Sequence, residues 1–220
     1  MKRQTRTRTL TLLAMFSAVA FVVMTVGRVP LVMWLKYDPK DVIITFAGLL
    51  FGPLSSLAVS LAVSLIEMVS VSDTGILGCV MNVLSTCSFA CTAAFVYSRR
   101  RTLGGAVLGL VSGVLLMTAA MLLWNYLLTP LYMNQPREQV AALLVPVFLP
   151  FNLFKGSLNA ALTLLLYKPL VQGLRRAKLI EAPEKTQAAS GRSNPGGMLI
   201  AVAVLAAVCV VLLLVLKKML

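Results

Sequence analysis

Long apolar segments alternate with short polar segments along the chain. A helix that crosses a membrane needs about 20 consecutive, mostly apolar residues, and five stretches reach or approach that length. We predict membrane helices over Leu10–Gly27, Ile76–Ser98, Leu103–Trp124, Val140–Tyr167 and Met198–Leu216. The pattern is typical of an all-α integral membrane protein rather than of a soluble domain.

A sixth apolar region, Val42–Ser72, is too long for one ordinary span and short for two. Gly52-Pro53 divides it, and this pair of residues favours a break. Charge supports the division, because short loops on the cytoplasmic side of a membrane carry an excess of Lys and Arg. Two helices here place all of the basic groups on one side, namely those at 2–8, 99–101 and 168–178.

The first helix of this pair is expected to be short. Asp38 is suited to the N-cap and Pro39 to the first helical position, so the helix should cover about Pro39–Gly52. Fourteen residues at 1.5 Å each span roughly 21 Å. This helix should therefore not cross the hydrocarbon layer alone.

These elements predict a six-helix bundle with both ends in the cytoplasm, followed by one more helix. We expect a basic cytoplasmic N-terminus over 1–8, a six-helix membrane domain over 9–175, a flexible polar linker over 176–197, and an additional C-terminal transmembrane helix over 198–220. The first apolar stretch exceeds the 7–15 residues usual in a secretory signal. We interpret it as a retained helix of a multi-pass cell-membrane protein.

Composition narrows the class of function. The chain has 220 residues, of which 59% are hydrophobic and 12% charged, against about 25% charged in ordinary soluble domains. Its formal net charge of +13 could suggest a nucleic-acid partner, but the basic residues cluster at the ends of apolar runs. We therefore expect a lipid bilayer around the chain and no nucleic acid.

The sequence lacks residue types and motifs that several kinds of metal, catalytic and nucleotide-binding site require. The sequence contains no histidine, and its four cysteines lie in apolar runs without zinc-ligand spacing, so we expect no metal site, no cofactor and no histidine-based catalysis. The nucleotide-binding pattern GxxxxGK[ST] is also absent from the sequence. Any coupling to ATP would have to come from partner subunits.

Polar residues inside apolar helices are costly in a membrane and often functional. Glu67, Asn82, Asn125 and Lys155 all fall at a depth in the outer third of the membrane. Blander interpretations are open: Glu67 and Lys155 could neutralise each other, Asn82 could join two helices, and Lys155 could extend outward to the interface. Their common depth favours a binding pocket.

The sixth core helix has the features of a pocket wall. Asn152, Lys155 and Asn159 share one helical face, and a kink or helix start is expected at Pro146 and Pro150, which precede them. Phenylalanines at 148, 151 and 154 would add flat apolar surface. This combination suits a ligand that is both polar and aromatic.

Small residues recur at four-residue spacing in three helices. They are Ala14 and Ala18, then Ser56, Ser60 and Ser64, and finally Gly109 and Gly113. Such spacing allows two helix backbones to approach closely. We expect seams between helices at these positions.

Four segments together resemble a known family. "LKYDPKDV" (35–42), "FGPLSS" (51–56), "NYLLTPLYM" (125–133) and "LPFNLFKGSLNAALTLLLYK" (149–168), with the Ala14-x-x-x-Ala18 pair, resemble the substrate-binding S components of energy-coupling factor (ECF) vitamin transporters. The resemblance covers about residues 8–175 and is strongest to the riboflavin-specific members.

The resemblance implies an architecture and a set of partners. It implies a vitamin bound at the outer side under the loop between the first two helices, with delivery by toppling on a transmembrane T subunit that carries two ATPases. It assigns partner contact to Ala14 and Ala18, pocket roles to Asn125, Asn152 and Lys155, and a cap to Tyr37, Asp38 and Lys40. Glu67 and Asn82 join the site on depth alone, and the seventh helix departs from the family pattern.

We therefore predict a riboflavin-binding transport subunit that is not an enzyme. The alternatives are an S component for another vitamin or a related flavin, an intramembrane enzyme that uses Glu67, Asp73 and Lys155, and a structural membrane scaffold.

Overall fold

The computed structural model describes residues 2–32, 35–71, 75–133, 136–177, 179 and 195–219. Its helices are α1 (Lys2–Gly27), α2 (Lys40–Phe51), α3 (Pro53–Ser70), α4 (Gly75–Arg99), α5 (Leu103–Met133), α6 (Arg137–Leu143), α7 (Leu149–Arg176) and α8 (Pro195–Met219). A π turn, Leu144–Phe148, joins α6 to α7. Counting that continuous segment once, the described part of the chain forms seven helices.

Five of these helices are long and apolar enough to cross a membrane. The candidate spans are Arg6–Gly27, Pro53–Ser70, Gly75–Arg99, Leu103–Pro130 and Arg137–Leu174. The prediction of a helical multi-pass membrane protein is thereby confirmed. The 12-residue α2 is too short to span, as expected, and α8 contributes a shorter apolar stretch, Val202–Leu214. That α8 spans the membrane stays a prediction, and most of the predicted linker, 180–194, lies outside the described residues.

The division of the sixth apolar region is confirmed at Gly52. The helix α2 ends at Phe51 and α3 begins at Pro53, while Gly52 between them has φ of 100°. Glycine adopts this left-handed conformation without the steric penalty that other residues meet. Proline follows at the first helical position, where its missing N–H is harmless.

A short β-hairpin, which we did not predict, connects α1 to α2. Its strands β1 (Val29–Val32) and β2 (Leu35–Tyr37) pair antiparallel, with Val29 opposite Tyr37. The pairing brings the residues that flank the hairpin, Arg28 and Asp38, into contact.

The predicted capping role of Asp38 is wrong. Pro39 is the N-cap residue of α2, and no side chain caps the helix there. The Asp38 carboxylate instead accepts a hydrogen bond from Arg28 Nε at 2.6 Å. A charge-assisted bond of this kind is roughly twice as strong as a neutral one, which explains why the carboxylate turns away from the helix.

The irregularity expected near Pro146 and Pro150 takes the form of the π turn. Pro146 lies inside the turn and Pro150 in the first turn of α7. Proline cannot donate the backbone hydrogen bond that a regular helix requires, and π turns often occur near functional sites. The turn directly precedes the polar face of α7.

Two of the three small-residue patterns form seams within the chain. A Cβ added at Gly109 or Gly113 of α5 would lie 2.7 or 2.6 Å from the carbonyl oxygens of Ala93 or Phe89 on α4. The serines of α3 at 56, 60 and 64 are buried. By contrast, Ala14 and Ala18 are both exposed, so the chain itself leaves that face of α1 uncovered.

Replacing Gly113 by alanine should destabilise the protein by about 1–3 kcal/mol, the usual range for overpacking a tight contact. Because the obstacle is backbone, the two helices would have to separate. The matched control is Gly173→Ala, since nothing lies within 4 Å of the added methyl group there. Thermal unfolding in detergent should show a lower midpoint for Gly113→Ala than for the control, and equal midpoints would contradict the close approach of α4 and α5.

Candidate functional site

Buried polar side chains gather at one end of the helix bundle. Arg28 follows the last residue of α1, Glu67 lies near the end of α3, and Asn82 lies in the first third of α4. Lys40 begins α2, and Lys155 lies in the first third of α7. Because these ends all lie beside the hairpin, residues that are far apart in sequence meet in one place. They form two clusters.

The first cluster centres on Glu67, which is buried. Its carboxylate forms ion pairs with Arg28 and with Lys40, and it accepts a hydrogen bond of 2.9 Å from Asn82 Nδ2. The Arg28 guanidinium also binds Asp38. The cluster thus ties the hairpin to α2, α3 and α4.

The charges of this cluster cancel. Two cations, Arg28 and Lys40, face two anions, Asp38 and Glu67. Lys40 is only 1% exposed, so its ammonium depends on Glu67 and on a contact of 3.6 Å to Met24 Sδ. Burial lowers the pKa of Arg28, but the hydrogen bonds and charges of Asp38 and Glu67 outweigh it and raise the pKa above its ordinary value. Arg28 therefore stays charged.

The second cluster centres on Asp41, which is fully buried. Thr86 Oγ1 donates to one carboxylate oxygen at 2.7 Å, and Asn159 Nδ2 donates to the other at 3.3 Å. Lys155 Nζ lies 3.2 Å from the second oxygen. This cluster is also neutral, and it joins α2 to α4 and α7.

Two of the blander interpretations are therefore wrong. Lys155 is 7% exposed and does not extend outward to the interface. It pairs with Asp41 instead of Glu67, whose carboxylate is taken by Arg28 and Lys40. The interpretation that Asn82 joins two helices is compatible with the structure, because its amide bridges α4 to α3 through Glu67.

Tyr37 connects the hairpin to α7. Its hydroxyl donates to Asn159 Oδ1 at 2.8 Å, and its ring meets the Phe154 ring edge-on with centroids 6.4 Å apart. Burial, with a smaller effect from Asp41, raises the pKa of Tyr37 above its ordinary value. The hydroxyl therefore stays protonated. Phe148 of the π turn and Phe151 of α7 are also buried.

The two remaining predicted residues make different contacts. Asn125 and Asn152 are buried, but each amide donates to a carbonyl four residues earlier, at 2.7 Å for Met121 of α5 and 2.8 Å for Phe148 of the π turn. Thr129 also donates to Asn125 Oδ1 at 2.9 Å. Neither asparagine takes part in the ion-pair clusters.

The structure brings together six of the eight predicted substrate residues, listed here: Tyr37, Asp38, Lys40, Glu67, Asn82 and Lys155. Sequence reasoning missed Arg28, Asp41 and Thr86 as members. Arg28 could have been predicted as a site residue, because it is a single arginine at the end of an apolar stretch and lies outside the three basic groups. Asp73 lies outside the described residues, and within the described ranges no group of three His, Cys, Asp or Glu could hold a metal ion.

Five candidate spans around a buried, charge-balanced polar site define a multi-pass membrane protein whose site lies at one end of its bundle. Residues 8–167 match the family described as "ECF transporter, substrate-specific component". The chain belongs to this family and is a transport protein rather than an enzyme.

Named relatives agree with this assignment. The chain is 29% identical to riboflavin transporter RibU of Staphylococcus aureus over 74% of this chain and 90% of that protein. It is also 29% identical to riboflavin transporter FmnP of Bacillus subtilis, over 79% and 99% of the two chains.

A solved structure has the same fold. It is reported under "Structure and mechanism of the S component of a bacterial ECF transporter", with a TM-score of 0.66 and 29% identity. The match covers 77% of this chain and 98% of that one. The described chain thus has the S-component fold.

Proposed function

We propose that this chain binds riboflavin at the outer side of the cell membrane and delivers it inward together with an ECF T subunit and two ATPases. The observation that carries the proposal is the convergence of buried charged and amide groups with aromatic rings at the hairpin end of the bundle. The riboflavin transporters among its relatives support the choice of ligand.

The chemistry of the site suits a flavin. The isoalloxazine ring is flat and large, and Phe154 and Tyr37 offer aromatic surface to it. Its pyrimidine edge carries carbonyls and an N–H, which pair with amides such as Asn125 and Asn152 and with the Lys155 ammonium. Because both ion-pair clusters are neutral, the site favours an uncharged ligand.

The orientation follows from the basic residues. Arg99 ends α4, and Arg100 and Arg101 follow it in the loop before α5, at the end of the bundle opposite the hairpin. Positive loops lie on the cytoplasmic side, and this rule supports our proposal of a cytoplasmic N-terminus and a site at the outer surface.

The hairpin acts as the cap of the site. In our proposal Tyr37 closes over the ligand from β2, while Asp38 and Lys40 anchor the cap through Arg28 and Glu67. In this proposal Lys40 serves the cap by anchoring it, because its ammonium is buried against Glu67.

Titration of the purified protein with riboflavin tests the ligand. We expect one riboflavin per chain, quenched flavin fluorescence, and a dissociation constant below about 1 µM, which corresponds to a binding free energy stronger than about −8 kcal/mol. Thiamine and biotin are the matched controls and should leave the signal unchanged. Tighter binding of either control, or no riboflavin bound, would contradict the proposal.

The exposed pair Ala14 and Ala18 is proposed to contact the T subunit. Two small residues one turn apart form a shallow groove that admits a neighbouring helix, and α1 leaves this face uncovered. Neither alanine belongs to the two clusters.

Replacing both alanines by tryptophan should therefore separate binding from transport. We expect riboflavin binding to stay within about twofold, because the clusters are untouched, while assembly with the T subunit falls by tenfold or more through the lost close packing. Leu115→Trp, on an exposed position of α5, is the control. Co-purification and cellular riboflavin uptake are the readouts, and normal uptake by the double variant would refute this contact.

A further inference from the structure

The C-terminal helix α8 is packed on the bundle. It lies along α7 and the π turn, and Val202 and Leu205 contact the central apolar core. Cys209 is 5% exposed, and its thiol donates to the Phe154 carbonyl at 3.9 Å. Its neighbour Val210 is 56% exposed on the outer face.

This contact lies directly behind the candidate site. Phe154 meets Tyr37 edge-on, and Lys155 is the next residue along α7. Cys209 of α8 therefore contacts the backbone of α7 at Phe154, which carries one of the proposed ligand contacts.

The helix is additional to the region shared with the family. The family match ends at residue 167, and α8 begins at Pro195. The solved S component is matched over 98% of its length by 77% of this chain. The function of α8 must therefore be sought in its own contacts.

We propose that α8 is a fixed part of the substrate-binding domain and that Cys209 is a positioning residue for the Phe154–Tyr37 wall. This proposal rests on the proposed riboflavin site. Helix α8 replaces mobile lipid chains with fixed side chains along α7, and the small thiol of Cys209 sets how closely the two helices approach. A helix attached only as a membrane anchor would make no such contact.

Thiol alkylation tests the packing without any ligand. In membranes containing a chain with Cys79, Cys87 and Cys91 replaced by alanine, N-ethylmaleimide should label Cys209 about tenfold more slowly than a cysteine introduced by Val210→Cys in a Cys209→Ala background, because access governs thiol reactivity. Equal rates would show that α8 is not docked and would overturn the inference.

Riboflavin titration tests the positioning role. Cys209→Phe should weaken binding about tenfold, because the ring overpacks the contact and displaces α7. Val210→Phe adds the same ring one residue away on the outer face and should change affinity by less than about twofold. Cys209→Ala, which keeps a small side chain, should bind nearly as the unmodified chain does.

The outcomes separate the two proposals. Equal affinities for Cys209→Phe and Val210→Phe would overturn the positioning role while leaving riboflavin binding established. If the unmodified chain binds no riboflavin, the proposed function fails, and the alkylation rates alone then decide whether α8 is docked on α7.

Discussion

Replacing Glu67 by alanine is expected to destabilise the protein by about 3–5 kcal/mol, because removal of one partner leaves a buried charge uncompensated. Lys40 is 1% exposed, and its charged partner is Glu67. Arg28 keeps Asp38 as a partner. The loss of stability therefore comes mainly from Lys40, whose buried ammonium would lose its ion pair. Asn82 also loses its acceptor.

The measurement is unfolding in detergent, by heat or denaturant, against Glu138→Ala. Glu138 lies on an exposed position of α6 and should change stability by less than about 0.5 kcal/mol. The double variant Glu67→Leu with Lys40→Met should recover part of the loss, since a buried ion pair can be replaced by apolar side chains at little cost. Equal midpoints for Glu67→Ala and Glu138→Ala would refute the buried ion pair.

Replacing Asp41 by asparagine should weaken riboflavin binding about tenfold or more, because it removes the charge that holds the Lys155 ammonium in place. The carboxylate also accepts from Thr86 and Asn159, and Asn159 in turn accepts from Tyr37. An amide offers one acceptor oxygen where the carboxylate offers two. One substitution should therefore disturb both the cap and the face of α7.

A double-mutant cycle with Lys155→Met tests this coupling. If Asp41 acts through Lys155, the two substitutions together should weaken binding by less than the sum of their separate effects, with a coupling energy above about 1 kcal/mol. Thr45→Val is the control, because Thr45 is buried one turn away on α2 and donates to the Asp41 backbone carbonyl, which Asp41→Asn leaves in place. Strict additivity would contradict a shared site.

Local pattern was enough to predict most of the helices. Apolar length fixed the spans, the Gly52-Pro53 pair marked the break between α2 and α3, and the length of α2 followed from those limits. The common depth of the polar residues stays a prediction, which rests on distance along each helix. These properties need no knowledge of how the helices pack.

The partners of each polar group could not be predicted in the same way. Arg28 and Glu67 are 39 residues apart, and Tyr37 and Asn159 are 122 apart, so their contact depends on how the helices are arranged. Asp38 satisfied the capping rule but had a stronger partner across the hairpin. The amides of Asn125 and Asn152 each donate to a carbonyl four residues earlier, and residue type alone does not predict such a local bond.

An experimental structure of the purified chain saturated with riboflavin would test the central claim most directly. We predict the flavin at the hairpin end of the bundle, with its ring against Phe154 and Tyr37 and a polar edge within hydrogen-bond distance of Lys155. Flavin density outside that region, or a chain that holds no flavin at saturation while its ion-pair clusters stay intact, would contradict the account.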